Sequence, residues 1–149
     1  MRYTIPTNLR VQSSLNGMPV GTGEKQGSSE FLFDAMEDQT GSVRSGVFIT
    51  TDPVGTFGAQ DVPEFLREIA KQGMGAKGPV EVRDVAIAGR QFYRSDVGIG
   101  SPVHAFGAQV GTICNNHFLV FYFSAASPER VNDLVHTMST LQLSCSERP

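Results

Sequence analysis

From Ala59 to Gly73 the chain reads AQDVPEFLREIAKQG, with Val62, Phe65, Leu66, Ile69 and Ala70 apolar at intervals of three and four. That spacing lays a single apolar stripe along a helix. Asp61, with Glu64 three residues later, has the pattern of a capping box, and Pro63 suits the first turn. Lys71 falls in the last turn, and Gly73 stands where a left-handed C-cap is wanted. A second helix is predicted in SPERVNDLVHTMSTL, with Ser127 as N-cap and Pro128 at its first position. Its stripe is Val131, Leu134, Val135 and Met138.

Elsewhere the apolar period is two, or the run is short and continuous. EFLFDAM (Glu30–Met36) and VRSGVFITT (Val43–Thr51) read as strands bridged by the polar turn EDQTGS. VEVRDVAIA and QFYRSDV flank Gly89 as a hairpin. VHAFGAQVGTI and FLVFYFSA flank CNNH, where Asn115-Asn116 suits a tight turn because Asn tolerates positive φ. YTI near Tyr3 and LRV near Leu9 are shorter, and LQL near the end predicts a last strand edge. The order is strands, helix, a four-strand antiparallel meander, then helix. It predicts one α+β domain over residues 1–149, with helices covering the faces of an antiparallel sheet.

Composition narrows the classes of function. With 40% hydrophobic and 18% charged residues the chain is of ordinary globular type, and ten Phe without Trp predict a Phe-rich core. The net charge is −3 and the twelve Lys and Arg are scattered, which argues against a nucleic-acid partner, since phosphate contacts need a clustered basic face. The longest apolar run, Phe118 to Ala126, has the length of a buried strand and not of a membrane span. MRYTIPTN carries no signal-peptide apolar region, although a mature chain without its leader would read the same.

GMGAKG, from Gly73 to Gly78, spells Gly-x-Gly-x-x-Gly. A dinucleotide loop follows a strand and opens a helix, so that the helix N-terminus faces the pyrophosphate. Here the glycines follow a helix and lead through Pro79 into a strand, so the order is inverted; Lys77 reads as a loop lysine, and no cofactor is expected. The glycine-rich Gln12–Ser29 reads as a surface loop, and GVFITTDPVGTFG as a strand entering a Pro/Gly turn.

Candidate chemistry is sparse. His136 has no His or Glu partner at helical metal spacing, and no metal site is expected. His104 reads as part of a strand bounded by Pro102. Cys114 and His117 would face each other across the mouth of the Asn-Asn turn, where a thiolate–imidazolium pair would lack both a pocket and an orienting residue. Cys114 and Cys145 match no zinc spacing; they pair if the compartment is oxidising and otherwise remain thiols. Alternation sets Arg94 and Asp96 on the face of Phe92, opposite Tyr93 and Ser95, so that Phe92, Arg94, Asp96 and His104 form the candidate binding surface. No catalytic constellation emerges, and the chain is not expected to be an enzyme.

VAIAGRQFYRSD, followed by VGTICNNHFLVFYFSAASPERVNDLVHTMSTLQL, resembles the C-terminal half of PsbP-like domains, especially a bacterial group that is often exported. The resemblance covers about Val80 to Leu143, with YTIP as a second anchor. It implies a three-layer α/β/α sandwich around an antiparallel sheet, a periplasmic or secreted location, and a non-catalytic role. Known members act by docking on partners, so the resemblance implies an interaction module that docks on another protein or the cell envelope. The alternative is a small-molecule or lipid carrier with a Phe-lined pocket between sheet and helix.

Overall fold

The computed structural model describes residues 1–5, 9–11, 30–37, 45–73, 75–76, 78–100 and 103–145. Expectations for 12–29, most of the EDQTGS turn, Lys77 and Pro102 lie outside the described residues. Among the described residues seven strands build one sheet: β1 (Leu9–Val11), β2 (Glu30–Glu37), β3 (Gly46–Pro53), β4 (Val82–Ile87), β5 (Arg90–Ile99), β6 (Ala105–Cys114) and β7 (His117–Ala125). Their order is β1-β2-β3-β7-β6-β5-β4, and every neighbouring pair is antiparallel. Helix α1 (Val62–Gly73) carries the chain from β3, beside β7, out to the β4 edge. The β4–β7 meander then returns to β3, and α2 (Pro128–His136) follows, running into a 3-10 turn at Thr137–Thr140.

Strand β7 explains the layout. Phe118, Val120 and Tyr122 cluster with Val62 and Leu66 of α1. Leu119, Phe121, Phe123 and Ala125 cluster with Val131, Leu134 and Val135 of α2 and with Met138. Consecutive residues of a strand point to opposite faces, so the two helices lie on opposite sides of the sheet. Each large apolar side chain sunk here, such as Phe121 or Phe123, contributes roughly 1.5–3 kcal/mol. On α1's side the packing is close enough that a Cβ at Gly111 would sit 3.1 Å from Leu66 Cδ2.

The expected three-layer α/β/α sandwich does not form. The helices have 12 and 9 residues, against seven strands. A helix is about 10 Å across and covers roughly two strands at ~4.8 Å spacing, so one short helix per face makes no layer. The result is a small, sheet-rich domain. Where α1 does not reach, Phe48 of β3 stacks on Tyr122, with ring centroids 4.3 Å apart and planes 10° from parallel.

Local details follow from sequence, with shifts. The Ser127 hydroxyl accepts from the Arg130 N–H at 3.2 Å, which makes it the N-cap of α2. The Asp61 carboxylate accepts from the Gly58 N–H at 2.7 Å and closes a short 3-10 turn just ahead of α1. At the other end α1 runs through Gly73, and positive φ falls instead at Gly75 (+66°) and Gly78 (+82°). Strand β3 is described from Gly46, with Ser45 ahead of it outside the strand, and the expected start at Val43 lies outside the described residues. YTI and LQL do not form strands: a single bridge joins Arg2 to Gln142, and the Tyr3 hydroxyl lies 2.6 Å from the Thr137 hydroxyl. Among the described residues no helix is long and apolar enough to cross a membrane.

Both two-residue hairpin turns demand positive φ, at Asn115 (51°) and Asn116 (63°) and at Ala88 (49°) and Gly89 (76°). Ala88 lacks the local hydrogen bonding that eases Asn into this region. Ala88→Asn should therefore raise stability by about 0.5–1 kcal/mol, read as a Tm increase of roughly 1–4 °C. Tyr122 supplies a second test. Burial, with Asp52 adding and Thr50 opposing, raises its phenol to about 12. An unfolded Tyr titrates near 10, so the neutral phenol's stabilisation is complete below that pH and is lost as pH rises toward the folded value. Between pH 10 and 12 the wild type should lose roughly 2–3 kcal/mol that Tyr122→Phe retains, measured by urea denaturation at each pH.

Candidate functional site

The surface expected from the β5 alternation is only partly a surface. Phe92 is fully buried in the core on α2's side, so it is corrected from a binding residue to a packing residue. Its burial follows from β5's place inside the sheet, where α2 covers the Phe92 face. Arg94 and Asp96 do come together: Arg94 Nη2 donates to Asp96 Oδ1 at 2.6 Å, and Nε donates to the same carboxylate at 3.1 Å. Arg94 Nη2 also donates to Asn132 Oδ1 of α2 at 2.6 Å, and Arg83 approaches Asp96 at 3.3 Å. This network ties α2 to the sheet. His104 does not join it; it is exposed in the β5–β6 connection rather than within a strand, and its N–H donates to the Ile99 carbonyl at 3.0 Å.

Cys114 and Cys145 form a disulfide, with Cα atoms 4.9 Å apart. Cys114 and His117 are paired across the Asn-Asn turn, but the disulfide leaves no thiol there to activate. His117 Nδ1 lies 2.9 Å from the Asn115 carbonyl, which can only accept, so this nitrogen carries the proton. Among the described residues no group of three His, Cys, Asp or Glu side chains is arranged to hold a metal ion.

A more developed site lies where β3 hands the chain to α1. A groove of about 450 Å³ is lined by Asp52 and Pro53 of β3, Phe57 of the connecting loop, Asp61, Glu64, Phe65 and Glu68, and Phe118 of β7. At its base the half-buried Phe65 stacks on the buried Phe118, with ring centroids 4.0 Å apart and planes 15° from parallel. Phe57 stands at the rim with 57% of its surface exposed. The loop is held by Gly55 at φ +60° and by the Phe57 N–H donating to the Val54 carbonyl at 3.0 Å.

The electrostatics of the groove are one-sided. Asp61 accepts from the Gly58 N–H, Glu64 pairs with Arg67 at 3.1 Å, and Glu68 accepts from Gln72 at 3.1 Å. Burial raises the Asp52 carboxyl above its ordinary value, and the nearby His117 partly opposes this. Four carboxylates and no Lys, Arg or His are among the lining residues. Each carboxylate has about four lone-pair sites, so the hydrogen bonds above leave acceptor capacity unused at Asp61, Glu64 and Glu68.

Sequence reading missed this site, yet a signal was present. Asp61, Glu64, Phe65 and Glu68 recur at i, i+3, i+4 and i+7, a second stripe beside the apolar one. Nothing local indicated that Phe118 would lie beneath it, because that contact joins residues far apart in the chain.

The chain matches no known protein-family model and no curated protein. The PsbP-like resemblance of Val80–Leu143 accordingly stands on turn chemistry and apolar spacing alone.

The disulfide closes a loop with a sequence separation of 31 residues. Its removal by Cys145→Ser should cost about 3–4 kcal/mol on the chain-entropy model, a Tm drop on the order of 10 °C by calorimetry. A drop under 2 °C would mean that packing alone holds the C-terminal segment.

Proposed function

We propose that the protein is a non-catalytic docking module of an oxidising compartment outside the cytoplasm, and that a partner protein seats in the groove between β3 and α1. The observation that carries this reading is the exposed Phe57 lining one groove with the Phe65–Phe118 stack. Aromatic side chains beside a preformed apolar floor are the groups that dominate binding energy at protein interfaces. The lining residues are Asp, Glu, Phe and Pro, an apolar surface edged by acidic groups that suits the seating of a partner. The Cys114–Cys145 bond supports the compartment, because such bonds persist where thiols are not kept reduced. The docking behaviour implied by the PsbP-like resemblance points the same way.

A carrier would need room between helix and sheet, and there Leu66 closes on Gly111 and Val62 is buried. The open groove favours a partner that covers it over a ligand that is enclosed.

A photo-crosslinking amino acid placed at Phe57, in cells of the source organism, should yield a discrete crosslinked species. The same group at Val103, which is also exposed and apolar but does not line the groove, should not. Equal crosslinking at both positions, or none at Phe57, would sink the docking reading.

A further inference from the structure

We infer that the partner segment seated in this groove is basic, a stretch of polypeptide that lays a Lys or Arg side chain on Phe65, the half-buried outer ring of the Phe65–Phe118 stack. The inference rests on the docking reading and names the chemistry of the partner. The groove offers an aromatic floor, a hydrophobic rim at Phe57, and carboxylates at Asp52, Asp61, Glu64 and Glu68. Against these four, Arg67 pairs with Glu64 and His117 lies near Asp52, while Asp61 and Glu68 accept from the neutral Gly58 N–H and Gln72 amide. Negative charge is therefore in surplus where a partner must enter.

That combination selects among partners. An acidic or phosphorylated segment would bring like charge against the carboxylates. A purely apolar segment would cover Glu64 and Glu68 without returning the hydrogen bonds they make to water. A Lys or Arg side chain meets both demands at once. Its aliphatic stem lies on Phe65 and Phe57 while its head reaches the carboxylates, and a cation over an aromatic face is attracted by the ring itself. Glu64 and Glu68 sit one turn apart on α1, so two basic residues of one extended segment can be matched along the helix. The flanking apolar residues of such a segment would cover Phe57 and Pro53, which free polyamines cannot do.

The test uses the disulfide-intact, ¹⁵N-labelled full chain and two synthetic seven-residue peptides. One carries two lysines among leucine and phenylalanine; the other replaces both lysines with glutamate. The lysine peptide should shift the amides of Asp52, Phe57 and Glu64–Glu68, and bind about tenfold or more tighter than its counterpart. Raising the salt from about 50 to 300 mM should weaken it several-fold, as screening shortens the reach of the carboxylates. Glu64→Gln combined with Glu68→Gln, at exposed helix positions, should bring the ratio between the peptides close to one. Phe57→Ala should weaken both peptides alike. Equal binding of both peptides in the groove would overturn the charge inference and leave the docking reading standing. Spermidine binding as tightly as the lysine peptide would overturn the assignment to a polypeptide segment. If neither peptide shifts these amides the inference falls, and crosslinking through position 57 then decides the docking reading by itself.

Discussion

Strand β7 is apolar on both of its faces, and a strand of that kind is stable only where both faces are covered. Phe118, Val120 and Tyr122 need one cover, and Leu119, Phe121 and Phe123 need another. The chain supplies them from opposite directions in sequence. Helix α1 arrives before the meander begins, and α2 follows directly after β7. Pairing β7 with β3 on one side and β6 on the other then satisfies its backbone and sets the centre of the sheet.

The same economy leaves the sheet incompletely covered. One short helix on each face covers part of the sheet, α1 over β4 to β6 and α2 over β6 and β7, and aromatic stacking occurs toward β3, as with Phe48 on Tyr122. The Arg94–Asp96–Asn132 network holds α2 in place, and the Cys114–Cys145 bond ties the segment beyond it to the end of β6. The groove lies at the margin of α1's cover. There the helix has fulfilled its packing role through Val62, Leu66 and Ala70, and presents its neighbouring stripe toward β3 and β7. Fold and site thus share one helix: one stripe of α1 builds the core, and the adjoining stripe lines the surface.

Much of the local structure was legible in the sequence, because local structure answers to local forces. Period-two alternation and short continuous apolar runs located β4 to β7, the spacing of three and four located α1 and α2, and Ser127 and Asn115-Asn116 announced a cap and a turn. The inverted order of GMGAKG, after a helix and before a strand, was also read from sequence alone. Expectations failed where a long-range contact outweighed a local preference. YTI formed no strand and LQL contributed only Gln142, in a single bridge to Arg2, and Phe92 was taken into the core although its strand neighbours Arg94 and Asp96 are charged.

The sequence by itself determined the elements, their turns and which side of each element is apolar, since hydrophobic period and backbone sterics act over a few residues. Tertiary structure alone decided the strand order, the position of one short helix on each face in place of helical layers, and the meeting of residues distant in the chain. Cys114 reached Cys145, Arg94 reached Asn132, and Phe65 came to rest on Phe118 beside Phe57 and four carboxylates. Those meetings depend on how two apolar faces of one central strand are covered, a condition that no local window of sequence contains.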